Sequence, residues 1–232
     1  LYVVDGYLKG TVKDYQMSSL LMAICINGMS DEEVFALTKV FIDSGDILDF
    51  SHFCDVCVDK HSTGGIGDKT TLIIAPIVAA CGVNVAKMSG RGLGYTGGTI
   101  DKLESIPNFN VNISNDSFIK QVNEIGLCLC YSSSNLVPAD KKIYALRDVT
   151  ATVESLPLIA ASIMSKKIAS GADKVLIDIK VGSGALVKNY EEAEKLSELM
   201  IKIGQNYNRE VRTLMTDMNT PLGKAIGNSL EV

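Results

Sequence analysis

A chain of 232 residues can bury a sizeable core as one large domain or two modest ones, and its 47% hydrophobic and 21% charged residues are unlike a disordered protein. A net charge of −5 argues against a general nucleic-acid binder, which would usually carry a basic patch. No apolar run is long enough for a membrane span and no signal peptide is recognisable, so we expect a soluble, cytoplasmic protein.

The first fifty residues predict helices. Ser30 to Glu33 forms a capping box, and apolar residues follow it at helical spacing until Gly45. The segment from Tyr15 to Ile26 is apolar on most sides, so it predicts a helix that is largely buried or lies at a subunit interface.

From about residue 55, predicted strands alternate with glycine-rich loops and helices. Strands are expected at residues 57–59, 83–88, 126–131, 174–181 and near Thr213. A buried helix is expected around residues 72–80, and an amphipathic helix near residues 190–204.

A second helical stretch, residues 138–170, interrupts this alternation. Because strands that alternate with helices form mostly parallel sheets, the pattern predicts an α/β fold with two domains. The helical domain would comprise residues 1–50 and 138–170, and the α/β domain would comprise residues 55–132 and 173–232.

The first candidate site is the loop His61 to Gly67, between a predicted strand and a helix. Its glycines let main-chain N–H groups turn inward, and the helix N-terminus adds positive potential. Lys60, Ser62 and Thr63 supply a charge and two hydroxyls. This combination suits an anion, although the spacing is not that of a Walker loop. The alternative is a glycine-rich turn with a solvated lysine.

The second candidate site is the loop Ser89 to Gly98. Gly92, Gly94 and Gly97 formally satisfy the dinucleotide pattern GxGxxG, with Asp116 where a ribose-binding acid would lie. The surrounding side chains instead favour a free phosphate: Lys87, Ser89, Arg91 and Thr99. Since two anion-binding loops on neighbouring strands converge at the carboxyl edge of a sheet, we expect one phosphate site, with a dinucleotide site as the alternative.

The third candidate site lies in the second helical stretch and contains Tyr144, Arg147, Ser162 and Lys166. Ser162 and Lys166 are four residues apart, so both project from one helix face. Arg147 and Lys166 are suited to grip the carbonyl oxygens of a neutral ring and to stabilise it once it leaves as an anion. Spacing alone favours the alternative, in which Arg147 pairs with a nearby acid and Lys166-Lys167 is a solvated face.

The six cysteines allow two interpretations. Cys54 and Cys57 form a CxxC motif, whereas Cys128 and Cys130 lie in an apolar predicted strand. A structural zinc site usually needs two close pairs of suitable spacing, so we expect reduced, mostly buried thiols, with a metal or redox role as the alternative.

Long motifs in this order resemble thymidine and pyrimidine nucleoside phosphorylases. The signature runs from Ser89 to Glu104, and further motifs lie at residues 14–16, 60–65, 138–141, 144–150, 162–167, 180–185 and 216–219. The resemblance implies the class II nucleoside phosphorylase fold, with a small all-helical domain and a larger, mostly parallel α/β domain around a cleft. It also implies a homodimer formed through the helical domain. Family members are much longer, so a C-terminal part is expected to be missing.

The resemblance assigns site residues position by position, and it implies no organic cofactor. Phosphate would be held by Lys60, Ser62, Thr71, Lys87, Ser89 and Thr99. The base would be held by Tyr144, Arg147, Ser162 and Lys166, and the catalytic residues would be His61, Arg147 and Lys166. A structural monovalent cation such as K⁺ would be bound by main-chain oxygens near Gly67, Lys69, Leu222 and Ala225.

Three positions depart from the family pattern. Tyr95 stands where the family often has His, and Leu186 replaces a frequent Phe near the base pocket. Lys69 stands where some members have Thr, which weakens the expectation of a cation there.

The expected reaction is phosphorolysis of uridine, thymidine or deoxyuridine, which gives the free base and a (deoxy)ribose 1-phosphate. One alternative is a phosphoribosyltransferase of the related fold, with Asp68 and Asp101 as Mg²⁺ ligands. The other is a truncated, non-catalytic relative.

Overall fold

The computed structural model describes residues 2–52, 55–92, 96–132 and 135–232, so the predictions for Cys54, Gly94 and Tyr95 lie outside the described residues. The helices within those ranges are α1 (Tyr2–Leu8), α2 (Asp14–Asn27), α3 (Asp31–Asp43), α4 (Thr70–Ala80), α5 (Thr99–Glu104), α6 (Asn115–Ile125), α7 (Pro138–Asp148), α8 (Leu156–Ala169), α9 (Tyr190–Asn206) and α10 (Asn228–Glu231). The strands are β1 (Cys57–Ser62), β2 (Asn84–Ser89), β3 (Leu127–Tyr131), β4 (Lys174–Val181) and β5 (Glu210–Asp217).

The five strands form one parallel sheet in the order β3-β2-β1-β4-β5. All five match predicted strands, and the parallel arrangement is confirmed. The chain leaves β1 towards β2 and β3, and then crosses to the other side of β1 to form β4 and β5. Ligands of such open sheets bind beyond the carboxyl ends of the strands where the order reverses, which here are β1 and β4.

Strand β4 is buried on both faces from Ile177 to its carboxyl end. Its apolar face, with Val175, Ile177 and Ile179, belongs to the same core cluster as residues of α8 and α9. On the opposite face, Asp178 and Lys180 are also buried, with the Lys180 Nζ 2.9 Å from the Asp178 Oδ2. Even paired charges lose solvation free energy when they are buried, so charges at this end of the sheet indicate a functional region.

Helices α7 and α8 return to the N-terminal helices. Helix α8 packs against α3, and α7 contacts α1, α2 and α3. Phe41 of α3 and Leu158 and Met164 of α8 share one core cluster. Since α8 also packs against α9, it joins the helical part of the chain to the sheet.

Helix α2 is more exposed than a largely buried helix, which is the first of its two alternative predictions. Met17 and Leu21 are its buried apolar side chains, whereas Tyr15 and Ile26 are 72% and 75% exposed. The expectation of a largely buried helix is therefore wrong for the single chain. The alternative, a subunit interface, stays a prediction.

Two further helices differ from expectation. The sequence predicts a buried α4, but this helix lies on one face of the sheet and turns Ile73 and Ile77 outward, at 54% and 57% exposed. The sequence pattern does not predict α6, although its ends carry ordinary signals. Ser114 caps its N-terminus by accepting from the Ser117 N–H, and Gly126 ends it in the left-handed conformation at φ +72°.

The cysteines are not all reduced. Among the described residues Cys25, Cys81, Cys128 and Cys130 are free, and the last two are buried. Cys57 is disulfide-bonded, so the expectation of reduced thiols is wrong at that position. Within the described ranges, no three His, Cys, Asp or Glu side chains come together as metal ligands. No helix of the described residues has the length and apolar character needed to cross a membrane.

Candidate active site

A cavity of about 410 Å³ lies beyond the carboxyl ends of β1 and β2, between both glycine-rich loops and helices α7 and α8. It brings the three candidate sites of the sequence together, as the convergence of two loops at one sheet edge predicts. The predicted site residues that line it are His61, Ser62, Ser89, Thr99, Tyr144, Arg147, Ser162 and Lys166. Leu186 and Asp140 line it as well.

A second cavity of about 460 Å³ lies against α4 and α6. Its walls are mostly apolar, with Leu72, Ile73 and Pro76 on one side and Leu127 and Leu129 on the other. Because few polar groups converge there, the first cavity is the better candidate for chemistry.

The first loop is held by Asp68. The Ser62 hydroxyl and the Thr70 hydroxyl both donate to the Asp68 carboxylate, the latter over 2.9 Å. The Gly64 N–H donates to the Ser62 Oγ over 3.1 Å, with Gly64 at φ +90°, which favours glycine. Ser62 therefore lies at the cavity wall with its oxygen already placed within the loop.

Three predicted phosphate ligands, Lys60, Thr71 and Lys87, lie outside the lining of this cavity. The Lys60 ammonium is buried, 2.8 Å from the Asp178 Oδ2, and donates to the Thr70 Oγ1 over 2.8 Å. Thr71 is buried in the first turn of α4. These side chains are buried and do not form part of the cavity surface.

The Asp59 carboxylate lies between two buried lysines under the cavity. The Lys167 Nζ is 2.6 Å from the Asp59 Oδ2, and the Lys87 Nζ is 3.7 Å from the Asp59 Oδ1. Both ammonium groups also donate to main-chain carbonyls, Lys87 to Lys60 and Lys167 to Met88. Burial and the neighbouring Lys167 lower the pKa of Lys87 to about 7. Lys167 is thus a buried ion-pair partner, and the prediction of a solvated Lys166-Lys167 face is wrong for it.

The second loop is held by Asp101. Its Oδ2 accepts hydrogen bonds from the N–H groups of Gly92 and Gly98, both over 2.8 Å. Arg91 makes a bidentate contact with Glu104 at 2.6 and 2.7 Å. Asp101 and Arg91 therefore shape the loop, while the hydroxyls of Ser89 and Thr99 remain to face the cavity.

We predict that Gly98→Ala disrupts this loop. A Cβ at position 98 would lie 2.4 Å from the Gly92 nitrogen and 2.6 Å from the Arg91 carbonyl carbon, so the backbone must move. We expect phosphate affinity to fall at least about tenfold, since the loop N–H groups lose their common acceptor. Gly90→Ala is the matched control, because a Cβ there meets nothing within 4 Å. Equal phosphate affinity of both variants in calorimetric titration would contradict the prediction.

Arg147 belongs to the cavity wall that helices α7 and α8 form, called the helical wall below. Its Nε donates to the Thr152 carbonyl, its Nη1 to Leu158 and its Nη2 to Val153, over 3.1, 3.2 and 2.8 Å. Arg147 is buried and bonds main-chain carbonyls instead of the acids that the alternative interpretation assigned to it. A guanidinium has five N–H donors, so these three contacts leave two unused, and Arg147 lines the cavity.

The Lys166 ammonium is held by three neighbours. It donates to the Asp140 Oδ2 over 2.5 Å and to the Ser162 Oγ over 2.8 Å, and it lies 5.1 Å from the centre of the Tyr144 ring. Burial raises the pKa of Tyr144 to about 12, so its hydroxyl stays a donor. The Asp140 Oδ1 is buried without a hydrogen-bond partner. The wall thus presents a fixed cation beside an oxygen with free acceptor capacity.

His61 is a neutral side chain in this site. Burial lowers its pKa well below the ordinary value, and the ammonium groups of Lys167 and Lys87 lower it further. Its imidazole therefore offers one N–H donor near neutral pH rather than a positive charge.

We predict that His61 makes the fold lose stability as the pH falls below about 6.5, the pKa of an unperturbed histidine. In that range the unfolded chain binds a proton that the native His61 does not bind, so acid favours unfolding. In His61→Gln the loss between pH 7.5 and 5.5 should be smaller by about 1 kcal/mol, measured by denaturant unfolding. His52→Gln changes an exposed position, so its free energy of unfolding should fall as much over this pH range as that of the unaltered protein. A His61→Gln variant with an unchanged acid loss would refute the prediction.

Two sequence profiles match most of the chain. One, described as "Glycosyl transferase family, a/b domain", matches residues 55–232, and the other, described as "Glycosyl transferase family, helical bundle domain", matches residues 2–45. The chain belongs to this glycosyl transferase family. The helical part followed by a parallel α/β sheet agrees with the predicted fold class.

Curated relatives extend the comparison. The chain is 58% identical to proteins named pyrimidine-nucleoside phosphorylase from Staphylococcus aureus (strain bovine RF122 / ET3-1) and Staphylococcus haemolyticus (strain JCSC1435). It is 56% identical to one of that name from Geobacillus stearothermophilus. Each comparison covers 100% of this chain and 53% of the relative, so the chain spans about half the length of these curated relatives. The resemblance inferred from the motifs is confirmed.

A solved structure shares the fold. The chain has a TM-score of 0.67 and 19% identity to anthranilate phosphoribosyltransferase from Thermus thermophilus, over 88% of this chain and 58% of that one. At this identity the likeness concerns the fold alone.

Sequence reasoning missed Asp140 and Asp59 as members of this site. Asp140 is the third residue of α7, where an acid is an ordinary helix start. Asp59 precedes the first loop, and the sequence pattern assigns it only to the strand. The signal available in the sequence is the position of each acid: Asp59 directly follows Cys57 and Val58, and Asp140 directly follows Pro138 and Ala139.

Proposed function

We propose that the chain forms the phosphate-binding and base-binding part of a pyrimidine nucleoside phosphorylase. The reaction is phosphorolysis of uridine, thymidine or deoxyuridine, with inorganic phosphate, to the free base and (deoxy)ribose 1-phosphate. One observation carries the proposal: a single cavity combines the hydroxyls of two glycine-rich loops with the cationic wall of α7 and α8. The names of relatives at 56–58% identity support it.

The loop side of the cavity suits phosphate. The hydroxyls of Ser62, Ser89 and Thr99 line it, and the ammonium groups of Lys60 and Lys87 lie buried beneath it. We propose that the hydroxyls contact phosphate, with Ser62 redirecting the proton that it donates to Asp68. Lys60 and the protonated form of Lys87 contribute positive potential through the loop backbone. A phosphate dianion below the sugar would attack the anomeric carbon and stabilise an oxocarbenium-like transition state.

The helical side suits a pyrimidine that leaves as an anion. Arg147 has two N–H donors left for the cavity, and Ser162 and Lys166 lie on one face of α8. Donors that are already in place stabilise the charge that builds on the base in the transition state. His61, being neutral, would donate a hydrogen bond to a base carbonyl rather than a proton.

Asp140 positions Lys166 in this proposal. We predict that Asp140→Asn lowers kcat at least about tenfold, because the charge that orients the Lys166 ammonium is lost, with little change in the KM for phosphate. Asp148→Asn is the control, since Asp148 lies on the same helix and is exposed. Steady-state kinetics with both substrates varied would check this. A kcat for Asp140→Asn equal to that of Asp148→Asn would refute the positioning role.

The activity is tested by release of uracil and thymine from uridine and thymidine, with and without inorganic phosphate. The proposal requires release that depends on phosphate and yields a sugar 1-phosphate. Base exchange that needs a phosphorylated sugar donor and Mg²⁺ would instead indicate a phosphoribosyltransferase. Absence of both reactions from the full protein would contradict the proposed function.

We also propose that the protein forms a homodimer through its helical domain. Helix α2 leaves Tyr15, Leu20, Met22 and Ile26 exposed on the single chain, and exposed apolar surface of this kind marks interaction sites. Sedimentation of the Ile26→Glu variant tests the homodimer. Ile47→Glu is the control, because Ile47 is also exposed but lies outside α2. Only the first substitution should yield monomers.

A further inference from the structure

The structure assembles the place where the resemblance puts a monovalent cation. The segment 221–225 packs on the loop that leads from β1 to α4. A Cβ added to Gly67 would lie 2.8 Å from the Pro221 Cβ, and one added to Gly223 would lie 3.6 Å from the Lys69 Nζ. The two segments that carry Gly67 and Lys69, and Leu222 and Ala225, therefore pack against each other.

The side chain of Lys69 already supplies a cation there. Its Nζ donates to the Ala225 carbonyl over 2.9 Å, and the side chain is only 11% exposed. An ammonium group is a compact charge with three N–H donors, so it can satisfy the Ala225 carbonyl oxygen as a small monovalent ion would. The residues present thus do not fit an added K⁺, because the Ala225 oxygen is engaged by a fixed positive charge.

Neighbouring charges further disfavour an added K⁺ at this position. The Glu231 Oε2 lies 3.9 Å from the Lys69 Nζ and 3.1 Å from the Lys102 Nζ, and the Lys102 and Glu231 side chains are almost fully buried. Two ammonium groups share one carboxylate, so the cluster already carries an excess positive charge. A further cation beside it would meet strong repulsion in a partly buried place.

We propose that the Lys69 ammonium takes the place of the structural monovalent cation, so that this protein is built to be independent of K⁺ at that position. The ammonium ties the start of α4 to the segment 221–225. Through Glu231 the same cluster reaches Lys102, which donates to the Gly97 carbonyl of the second loop over 2.9 Å. An internal cation therefore joins both glycine-rich loops to the end of the described chain.

Thermal unfolding tests the proposal without reference to turnover, so its result is separate from that of the proposed activity. The Tm is compared in K⁺ and in tetramethylammonium buffers of equal ionic strength. The unaltered protein should show no specific K⁺ effect. Lys69→Thr should have a lower Tm in tetramethylammonium, and K⁺ should raise it saturably by about 5 °C or more, since a ligand that binds only the native state stabilises it.

Lys224→Thr is the matched control, because it removes an exposed ammonium from the same segment, and it should behave like the unaltered protein. Equilibrium dialysis with radioactive rubidium ion gives a second readout that does not depend on how stable the variant is. We expect no saturable binding to the unaltered protein and one ion per chain of Lys69→Thr. Saturable binding of one rubidium ion by the unaltered protein would overturn the proposal. A folded Lys69→Thr variant whose Tm does not rise in K⁺ and which does not bind rubidium ion would also overturn it.

Discussion

Arg147→Ala is expected to lower kcat/KM for pyrimidine nucleosides at least about a hundredfold, since donors fixed towards a developing charge carry this weight in other enzymes. Arg147 lines the cavity, and its three main-chain contacts leave two of its five N–H donors for the base in the proposed mechanism. Initial rates of base release at saturating phosphate measure the effect. Near-normal turnover would exclude the proposed role.

The same substitution should also weaken the fold. Three main-chain carbonyls, those of Thr152, Val153 and Leu158, lose a buried donor, and each such loss costs about 1–3 kcal/mol. Activity must therefore be measured well below the Tm of the variant. Arg147→Lys keeps the charge but cannot supply the planar fork of donors, so we expect it to remain strongly impaired. Arg212→Ala, which removes a 79% exposed side chain, should leave both activity and Tm unchanged.

Asp59→Asn is expected to destabilise the protein by about 3–5 kcal/mol, because a buried ion pair that loses one partner leaves uncompensated charge. Here the buried Lys167 ammonium loses its carboxylate, and Lys87, whose pKa is about 7, loses the partner of its protonated form. For a chain of this size the Tm should fall by about 10 °C, measured by calorimetry.

A double variant that removes both charges of one ion pair distinguishes the loss of charge pairing from a change in packing. Lys167→Met combined with Asp59→Asn removes both sides of the shorter contact and should recover part of the lost Tm. Asp43→Asn breaks the exposed pair with Lys39 and should leave the Tm unchanged within error. A Tm for Asp59→Asn equal to that of Asp43→Asn would refute the prediction.

The sheet and the meeting of the loops could be predicted because they follow from local patterns. The alternation of short strand patterns with glycine-rich loops and helices predicts all five strands, and the topology of parallel sheets brings loops after neighbouring strands together. The position of α2 and α4 could not be predicted in the same way. Neither helix concentrates its apolar residues on one face, so the sequence does not say which side packs on the protein and which side stays exposed.

The motifs do not predict where the lysine side chains point. The motifs assign Lys60, Lys87 and Lys166 to ligand binding, but of these three only Lys166 lines the cavity. A lysine side chain has four rotatable bonds, and its direction depends on which carboxylates lie nearby after folding. Asp178 is far from Lys60 in sequence, yet the register of β1 and β4 brings the two charges to 2.8 Å.

The sequence by itself determined the family, the parallel α/β sheet and the two glycine-rich loops, because these depend on residue type, spacing and strand order. Only the tertiary structure decided which charges meet: Asp140 with Lys166, Asp59 with Lys87 and Lys167, and the Lys69 ammonium with the Ala225 carbonyl. Each of these contacts joins residues from separate elements. Their energies depend on distance and burial, which arise only once the elements have packed.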